Sequence, residues 1–303
     1  MTPEHSRDVV NTYRYLRGTM IALLLLLLAS VGYQWWWETG HSCWLGSISA
    51  YYFTPVRTVF VGSLCALGAV LIAYKGHSPE EDVLLNFSGF MAFVVAMVPT
   101  VPDGLCGPNA YTQSATEIAM AVRNNIWSLI LVALLAALVV AVLRRRAPVG
   151  RGTAAAGSAR GPAVRTIVVS VICAGILLGE LTLFLVLRDR FIALSHGIAA
   201  GTMVAGVIAV MVLNALRADE RHGGSEGAKY RRTYILLAVA LGMLLALTVV
   251  VALTLTGFDH LILIAEVIII LLFGTYWVVQ TVELWNLGSP EPTESRELQT
   301  VAE

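Results

Sequence analysis

Charged residues are scarce in this sequence. Only 13% of its 303 residues are Asp, Glu, Lys or Arg, whereas 57% are hydrophobic, and the mean hydropathy is +0.75. Soluble domains carry about 25% charged residues, so the composition excludes an ordinary soluble domain and predicts that lipid surrounds most of the chain. The formal net charge is +0, which gives no support for a nucleic-acid partner.

Motifs of soluble enzymes are also missing. The sequence contains no P-loop, GxSxG, HExxH or Rossmann fingerprint. Its four cysteines include no CxxC pair, which argues against a zinc finger or a thioredoxin-type motif. Whether the chain is an enzyme stays open on these grounds, and no cofactor is expected from motifs alone.

Long apolar runs dominate what is present. A membrane-spanning helix needs about 20 mostly apolar residues, and about eight segments meet that criterion. They are residues 18–37, 58–74, 83–99, 124–143, 166–187, 191–216, 233–258 and 261–282. The first run has no clean small-residue cleavage site, so we interpret it as a retained span. We therefore expect an all-α, polytopic transmembrane helix bundle forming a single domain over residues 1–287.

Composition also predicts the segments between and after the spans. Residues 144–165 are rich in Gly, Ala and Arg and should form a flexible cytoplasmic linker. Residues 288–303 are acidic and contain proline, which predicts a disordered tail. Thr54–Pro55 and Ser78–Pro79 each offer an N-cap followed by proline at the first helical position, and Glu81 is placed for a capping box.

The positions of lysine and arginine predict the orientation. If the N-terminus is cytoplasmic, 16 of the 20 basic residues fall on the inner side. The four on the outer side are Arg57, Arg123, Arg188 and Arg190. Because basic loop residues stay inside, both termini should be cytoplasmic.

Polar residues concentrate in the connection between the first two spans. Residues 41–62 contain hydroxyls, tyrosines, a histidine and an arginine. We take Ser49, Tyr51 and Arg57 from this connector as candidate ligand-binding residues.

Three ionisable residues lie inside predicted spans, namely Glu180, His196 and Glu266. Glu180 lies about 10 Å from the outer end of its span, and the other two about 8 Å from theirs, at a rise of 1.5 Å per residue. Intramembrane charges are costly and mark functional sites by default. The similar depth predicts one outward-facing polar cavity, in which Glu180→Gln and Glu266→Gln should each abolish activity.

Each of these residues also has a structural interpretation. Glu180 could pair with Arg188 or Arg57, and His196 could hydrogen-bond between helices beside the small-residue ladder of Gly197 and Gly201. Glu283 lies at an inner helix end, where a long side chain can reach water. Trp277 and Trp285 near the same boundary are typical of an aromatic belt.

Other polar residues fall on the outer face. Asp103 is a candidate ligand-binding residue or a turn former. His41, His196 and His260, together with Asp103, Asp259, Glu180 or Glu266, could hold zinc with an open position for water. Cys43 and Cys106 are both expected outside, where a disulfide between them is plausible.

Residues 47–57, with the sequence SISAYYFTPVR, are continued by Phe60, Val61 and Gly62. This run resembles a pattern in uncharacterised multi-spanning membrane proteins of bacteria, which implies the bacterial plasma membrane as the location. More distantly, a serine near the second span, an aspartate after the third and a later histidine are similar to the alkaline ceramidase and adiponectin receptor superfamily. That likeness implies a zinc-dependent hydrolase of lipid amides. The sequence has no histidine in its second span and no His-x-x-x-His in a late one.

Three functions remain open. The first is binding or transport of a small or lipid-like molecule through an outward-facing polar cavity. The second is a metal-dependent hydrolase acting at the outer leaflet, with zinc as its cofactor. The third is a membrane scaffold in which the polar residues pair helices. The sequence identifies neither the ligand nor the oligomeric state.

Overall fold

The computed structural model describes residues 3–100, 110–146, 160–254 and 259–285. Within these ranges the chain is all-α, as expected, and forms α-helices without any strand. The helices are α1 (Pro3–Tyr33), α2 (Arg57–Ala73), α3 (Pro79–Met97), α4 (Ala115–Arg146), α5 (Arg160–Val186), α6 (Arg188–His222), α7 (Gly224–Thr254) and α8 (Asp259–Glu283). A π-helical turn, Gln34–Glu38, extends α1, and a 3₁₀ turn, Ser49–Phe53, precedes α2.

Six of these helices are long and apolar enough to cross a membrane, namely α1, α4, α5, α6, α7 and α8. The expected spans 58–74 and 83–99 do form helices, but neither reaches that standard. Helix α2 has 17 residues, which is about 26 Å and less than the roughly 30 Å of a hydrocarbon core. Helix α3 carries Glu80, Glu81 and Asp82 in its first turn, so its apolar part is also short.

The predicted N-cap of α3 is confirmed, whereas the predicted N-cap of α2 is wrong. Ser78 is the N-cap of α3, its hydroxyl accepts from the Glu81 N–H at 3.2 Å, and proline follows it as expected. The Glu81 carboxylate, however, accepts from the His77 N–H at 2.8 Å. Helix α2 begins only at Arg57, and Thr54 is not its N-cap. The Thr54 hydroxyl instead caps a turn by accepting from the Val56 N–H at 3.3 Å.

The predicted linker 144–165 is helical at both ends. Residues 144–146 complete α4, and residues 160–165 belong to the first turns of α5. The rest of that linker and the predicted tail at 288–303 lie outside the described residues.

Six helices form a closed ring. Around it, α1 packs on α2, α2 on α3, α3 on α6, α6 on α7, α7 on α8, and α8 on α1. Helices α4 and α5 lie outside the ring against α3, and α5 also contacts α6. The chain therefore builds a six-helix wall with two helices on its outer surface.

Helices α2 and α3 pack backbone to backbone. A Cβ added at Gly68 would lie 2.6 Å from the Gly89 carbonyl oxygen, and one at Gly89 would lie 2.6 Å from the Gly68 carbonyl oxygen. Only glycine fits at such distances, and small residues of this kind let helix backbones approach closely. The pair fixes the packing of the two short helices.

We name the two ends of the ring after the segments that lie there. The connector end holds residues 39–56, which link α1 to α2. The Gly223 end holds the turn between α6 and α7, where Gly223 has a φ of 66° and stops α6 in a conformation that suits glycine. The start of α3 lies at the Gly223 end, since its Glu81 is bonded to Asn214 of α6.

The outer surface of the bundle is strongly apolar. Leu134 of α4 is 64% exposed and Val171 of α5 is 65% exposed, as are many of their apolar neighbours. Monomeric soluble proteins do not expose contiguous apolar surface on this scale. Together with the six long apolar helices, this surface is that of an integral membrane protein.

Candidate functional site

The six-helix ring lines a partly open cavity of about 500 Å³. All six helices of the ring and the connector contribute to its wall, which consists mainly of Leu, Ile, Val, Ala and Phe side chains. Along α8 the wall runs from Ile262 to Phe273, a rise of about 16 Å. A volume of 300–1,000 Å³ with mostly apolar walls is typical of pockets for small organic ligands.

Few polar side chains of the described residues line the cavity. They are Ser47, Ser49, Thr100, His196, Thr248 and Glu266. The two serines belong to the connector and Thr100 follows the end of α3, so the polar groups gather toward the connector end. The cavity therefore has an apolar body and one polar end.

Glu266 joins α8 to the connector. Its Oε2 accepts from the Ile48 N–H at 2.5 Å, and one turn earlier the Leu263 N–H donates to the Gly46 carbonyl at 2.9 Å. No other hydrogen bond or ion pair to this carboxylate is found among the described residues. One oxygen is thus held by the protein, while the side chain also faces the cavity.

His196 joins α6 to the end of α3. Its Nδ1 lies 2.6 Å from the carbonyl oxygen of Val98, which is the residue that caps α3. A carbonyl can only accept a hydrogen bond, so Nδ1 carries a proton. The imidazole thereby satisfies a helix-terminal carbonyl while remaining part of the cavity wall.

Glu180 is placed elsewhere, contrary to the expectation of one shared cavity. It is 7% exposed, accepts a short hydrogen bond from the Ser195 hydroxyl, and is absent from the cavity wall. Its Oε1 has no partner among the described residues. Glu180 therefore lies between α5 and α6, and only His196 and Glu266 of the three intramembrane residues line the cavity.

The glycine ladder beside His196 does not serve close helix contact. A Cβ at Gly197 or Gly201 would meet nothing within 4 Å, and both residues line the cavity. The close contact of α6 comes instead from Gly206, whose Cβ would collide with Ser88 of α3. Because Gly197 and Gly201 have no side chains, the space beside them belongs to the cavity.

The connector is buried and lines the polar end of the cavity. Leu45, Ile48 and Phe53 are each at most 3% exposed, and the Phe53 carbonyl accepts from the Tyr111 N–H at 2.7 Å. Ser47 and Ser49 share a hydrogen bond of 2.9 Å. The connector is thus a packed part of the site.

Two other predicted ligand residues of the connector do not reach the cavity. Tyr51 is 2% exposed, and burial raises the pKa of its phenol, against a smaller lowering by a hydrogen bond with the Leu45 backbone. Arg57 donates to the Tyr52 hydroxyl at 2.7 Å and lies 4.3 Å from the centre of that ring. Neither Tyr51 nor Arg57 is part of the cavity wall, and both have structural contacts within the connector.

The predicted zinc ligands are dispersed where they are described. His41 packs against Trp36 at 4.3 Å between ring centres, and His260 packs against Trp44 at 5.7 Å. In the described ranges no three His, Cys, Asp or Glu residues are grouped so that they could hold a metal ion. Asp103 lies outside the described residues, as does the side chain of Asp259.

The cysteines divide into two kinds. Cys43 is disulfide-bonded, whereas Cys65 and Cys173 are free thiols. Cys106, the partner expected for Cys43, lies outside the described residues, so the pairing stays a prediction.

An aromatic floor closes the cavity toward the Gly223 end. Phe273 at the bottom of the cavity contacts Trp277, with ring centres 6.1 Å apart. Trp277 in turn contacts Tyr74 at 5.3 Å and Tyr276 at 5.1 Å, and Tyr276 contacts Tyr234 at 5.7 Å. Trp277 is 1% exposed, so the aromatic-belt interpretation of this residue is wrong.

A buried polar cluster lies beyond this floor, and Glu283 is at its centre. Arg221 Nη2 lies 3.1 Å from Glu283 Oε1, and His222 Nε2 lies 3.2 Å from the same atom. The Tyr234 hydroxyl makes a short hydrogen bond to Oε2. Glu283 is only 4% exposed, so the expectation that its side chain reaches water is wrong.

Asn214 connects this centre to α3. Its Nδ2 donates to Glu81 Oε1 at 2.9 Å and lies 3.2 Å from the Tyr276 hydroxyl. Its Oδ1 accepts from Arg221 at 3.0 Å. The polar cluster, defined here as Glu81, Asn214, Arg221, His222, Tyr234, Tyr276 and Glu283, thus bonds α3, α6, α7 and α8 together.

Sequence reasoning missed this cluster because it ended the sixth span at residue 216. Helix α6 continues to His222, which places Asn214 and Arg221 seven residues apart and therefore on one face of the helix. This seven-residue spacing is the feature of the sequence that indicates the cluster. Hydropathy alone assigned Arg221 to a loop.

No family model matches the chain, and no curated protein or solved structure matches it either. The likeness of residues 47–62 to bacterial membrane proteins, and the more distant likeness to the ceramidase and adiponectin receptor superfamily, therefore stay predictions.

Proposed function

We propose that this protein crosses the plasma membrane of a bacterium eight times, with both termini in the cytoplasm. The distribution of basic residues supports this orientation. The tight packing of α2 against α3 supports their crossing as a pair within the wall, since their neighbours shield the acidic first turn of α3. The connector end then faces outward, and lipid covers the exposed apolar faces of α4 and α5.

In this arrangement the protein binds or transports a small, lipid-like molecule. The observation that carries the proposal is the cavity of about 500 Å³, which is apolar along its length and carries Glu266 and His196 near its outward end. An amphiphile matches both parts of the wall, because apolar surface gains from burial while its polar group needs hydrogen-bond partners.

The closed Gly223 end suits an outward-facing state. The aromatic floor and the polar cluster separate the cavity from the cytoplasmic end, as alternating access requires of the side that is shut. Movement of a ligand to the cytoplasm would require the polar cluster to open. Binding without transport requires only the cavity.

Filling the cavity tests this function. Radiolabelled 1-decanol is a suitable probe, because it combines a ten-carbon chain with one hydroxyl. We expect purified protein in lipid nanodiscs to bind it saturably, and we expect Gly201→Phe to lose that binding, since Gly201 borders open cavity space.

Gly179→Phe is the matched control. Gly179 also has nothing within 4 Å of an added Cβ, but it lies on α5 outside the cavity wall, so its variant should bind decanol like the wild type. Equal decanol binding by the wild type and Gly201→Phe would reject the cavity as the ligand site.

A further inference from the structure

The charge of the cavity wall identifies a class of ligand head group. Among the described residues, the cavity wall contains one carboxylate, Glu266, and no lysine or arginine. Its histidine, His196, already uses Nδ1 on the Val98 carbonyl. The predominant charge available to a ligand at the polar end is therefore negative.

The protein alone satisfies this carboxylate poorly. Oε2 has the Ile48 N–H, whereas no donor is found for Oε1 among the described residues. Glu266 is partly buried, and withdrawing a carboxylate from water without a cationic partner is costly. The contrast with Glu180 matters here, because Glu180 faces another helix, whereas Glu266 faces a space large enough for a ligand.

Three hydroxyl groups at the polar end of the cavity can also accept hydrogen bonds. Ser47, Ser49 and Thr100 line the same end, and the Thr100 hydroxyl oxygen is buried without a partner among the described residues. An alkylammonium group has three N–H donors and no acceptor, so hydroxyl and carboxylate oxygens can satisfy it together. Tyrosine and tryptophan do not line the described wall, and these rings are the main components of sites for quaternary ammonium groups.

We infer that the cavity binds an amphiphilic primary amine, with its ammonium group on Glu266 and its hydrocarbon part along the apolar wall toward Phe273. This inference rests on the proposed function and specifies its ligand. An anionic head group would meet the Glu266 carboxylate, and no basic residue of the described part of the wall would offset the repulsion. A neutral head group would leave the carboxylate without a counter-charge.

Three ten-carbon probes of equal chain length test the inference, namely decylammonium, 1-decanol and decanoate. Each is radiolabelled and its binding to the full chain in nanodiscs is measured at neutral pH, with binding to the Gly201→Phe variant subtracted to remove partitioning into lipid. A charge-assisted hydrogen bond contributes about 1.5–3 kcal/mol, so decylammonium should bind about tenfold to a hundredfold more tightly than decanol. Decanoate should bind most weakly.

Glu266→Gln should reduce the preference for decylammonium over decanol to about twofold or less, because the amide keeps the shape of the side chain but loses its charge. Glu180→Gln is the matched control and should keep the full preference. If decylammonium binds no more tightly than decanol in the wild type, or if Glu266→Gln keeps the preference, the amine inference is overturned. In that case, decanol binding that is saturable and that Gly201→Phe abolishes would still support the proposed function. Absence of such decanol binding in the wild type would reject both the amine inference and the proposed function.

Discussion

Each end of the helix ring contains a carboxylate, but the two carboxylates have different partners. At the Gly223 end, Glu283 contacts Arg221, His222 and Tyr234, so its charge is neutralised within the protein. At the connector end, Glu266 has one backbone N–H as its partner among the described residues and faces a cavity. A carboxylate whose partners are supplied by the fold holds helices together, whereas one that lacks them is available to a ligand.

Arg221→Met should produce the largest loss of stability. It leaves Glu283 in a buried position without its arginine, and breaking a buried ion pair from one side costs about 3–5 kcal/mol. Equilibrium unfolding in detergent micelles would measure the change in the free energy of unfolding. Arg231→Met is the control, since Arg231 and Asp219 form an exposed pair at the same end that should contribute about 1 kcal/mol or less. Equal losses in the two variants would show that the polar cluster does not hold the Gly223 end together.

Tyr234→Phe should produce a smaller loss at the same carboxylate. The substitution removes the hydroxyl that donates to Glu283 and leaves the ring against Tyr276 in place, so about 1–2 kcal/mol of the free energy of unfolding should be lost. Tyr33→Phe changes an exposed side chain and should leave stability unchanged. The interpretation of the Tyr234 hydroxyl as a stabilising partner of Glu283 fails if Tyr234→Phe is as stable as the wild type.

Acid should weaken the Gly223 end through Glu81. Burial raises the pKa of this carboxyl, but hydrogen bonds from His77 and Asn214 outweigh it, and the net pKa lies below its ordinary value. The ionised form is therefore favoured in the folded state, so its stabilisation is present above the unfolded pKa of about 4.3 and is lost as the pH falls through the lower folded pKa. The free energy of unfolding, measured from pH 6 to pH 3, should fall less steeply for Glu81→Gln than for the wild type. Identical slopes would contradict this role for Glu81.

Glu266→Gln should have the smallest effect on stability, within about 1 kcal/mol of the wild type. A glutamine oxygen can still accept from the Ile48 N–H, so the link to the connector is kept while the affinity for decylammonium falls. Glu180→Gln should leave that affinity intact, which revises the expectation from sequence that both carboxylates serve one site. Loss of decylammonium binding in both variants would show that the two act together after all.

Depth along a helix was predictable from the sequence, but direction around it was not. Counting residues from the span ends placed His196 and Glu266 at one level, and both line the cavity. The same count included Glu180, which faces Ser195 instead. The predicted span of α5 is apolar around its circumference, so its periodicity does not show which face contacts α6. The contacting face depends on the order in which the helices pack.

Helix boundaries explain the other differences. The Ser78 cap was predictable because its side-chain hydrogen bond is local. The predicted spans stop at residues 216 and 282 because hydropathy ends a span at the first charges, whereas α6 and α8 continue and Arg221 contacts Glu283 between them. Such pairs are separated by tens of residues in the chain, and only the packed bundle brings them together.

The ring is closed by contact between α1 and α8, the first and the last helices of the described chain. During synthesis the wall therefore stays open on one side until α8 has entered the membrane, and α8 is also the helix that brings Glu266. A nascent chain that stops after α7 would have the hydrocarbon-lined space but neither its last wall nor its acid. In the proposed amine site, the acid that would select the head group is therefore contributed by the last of the described helices to be synthesised.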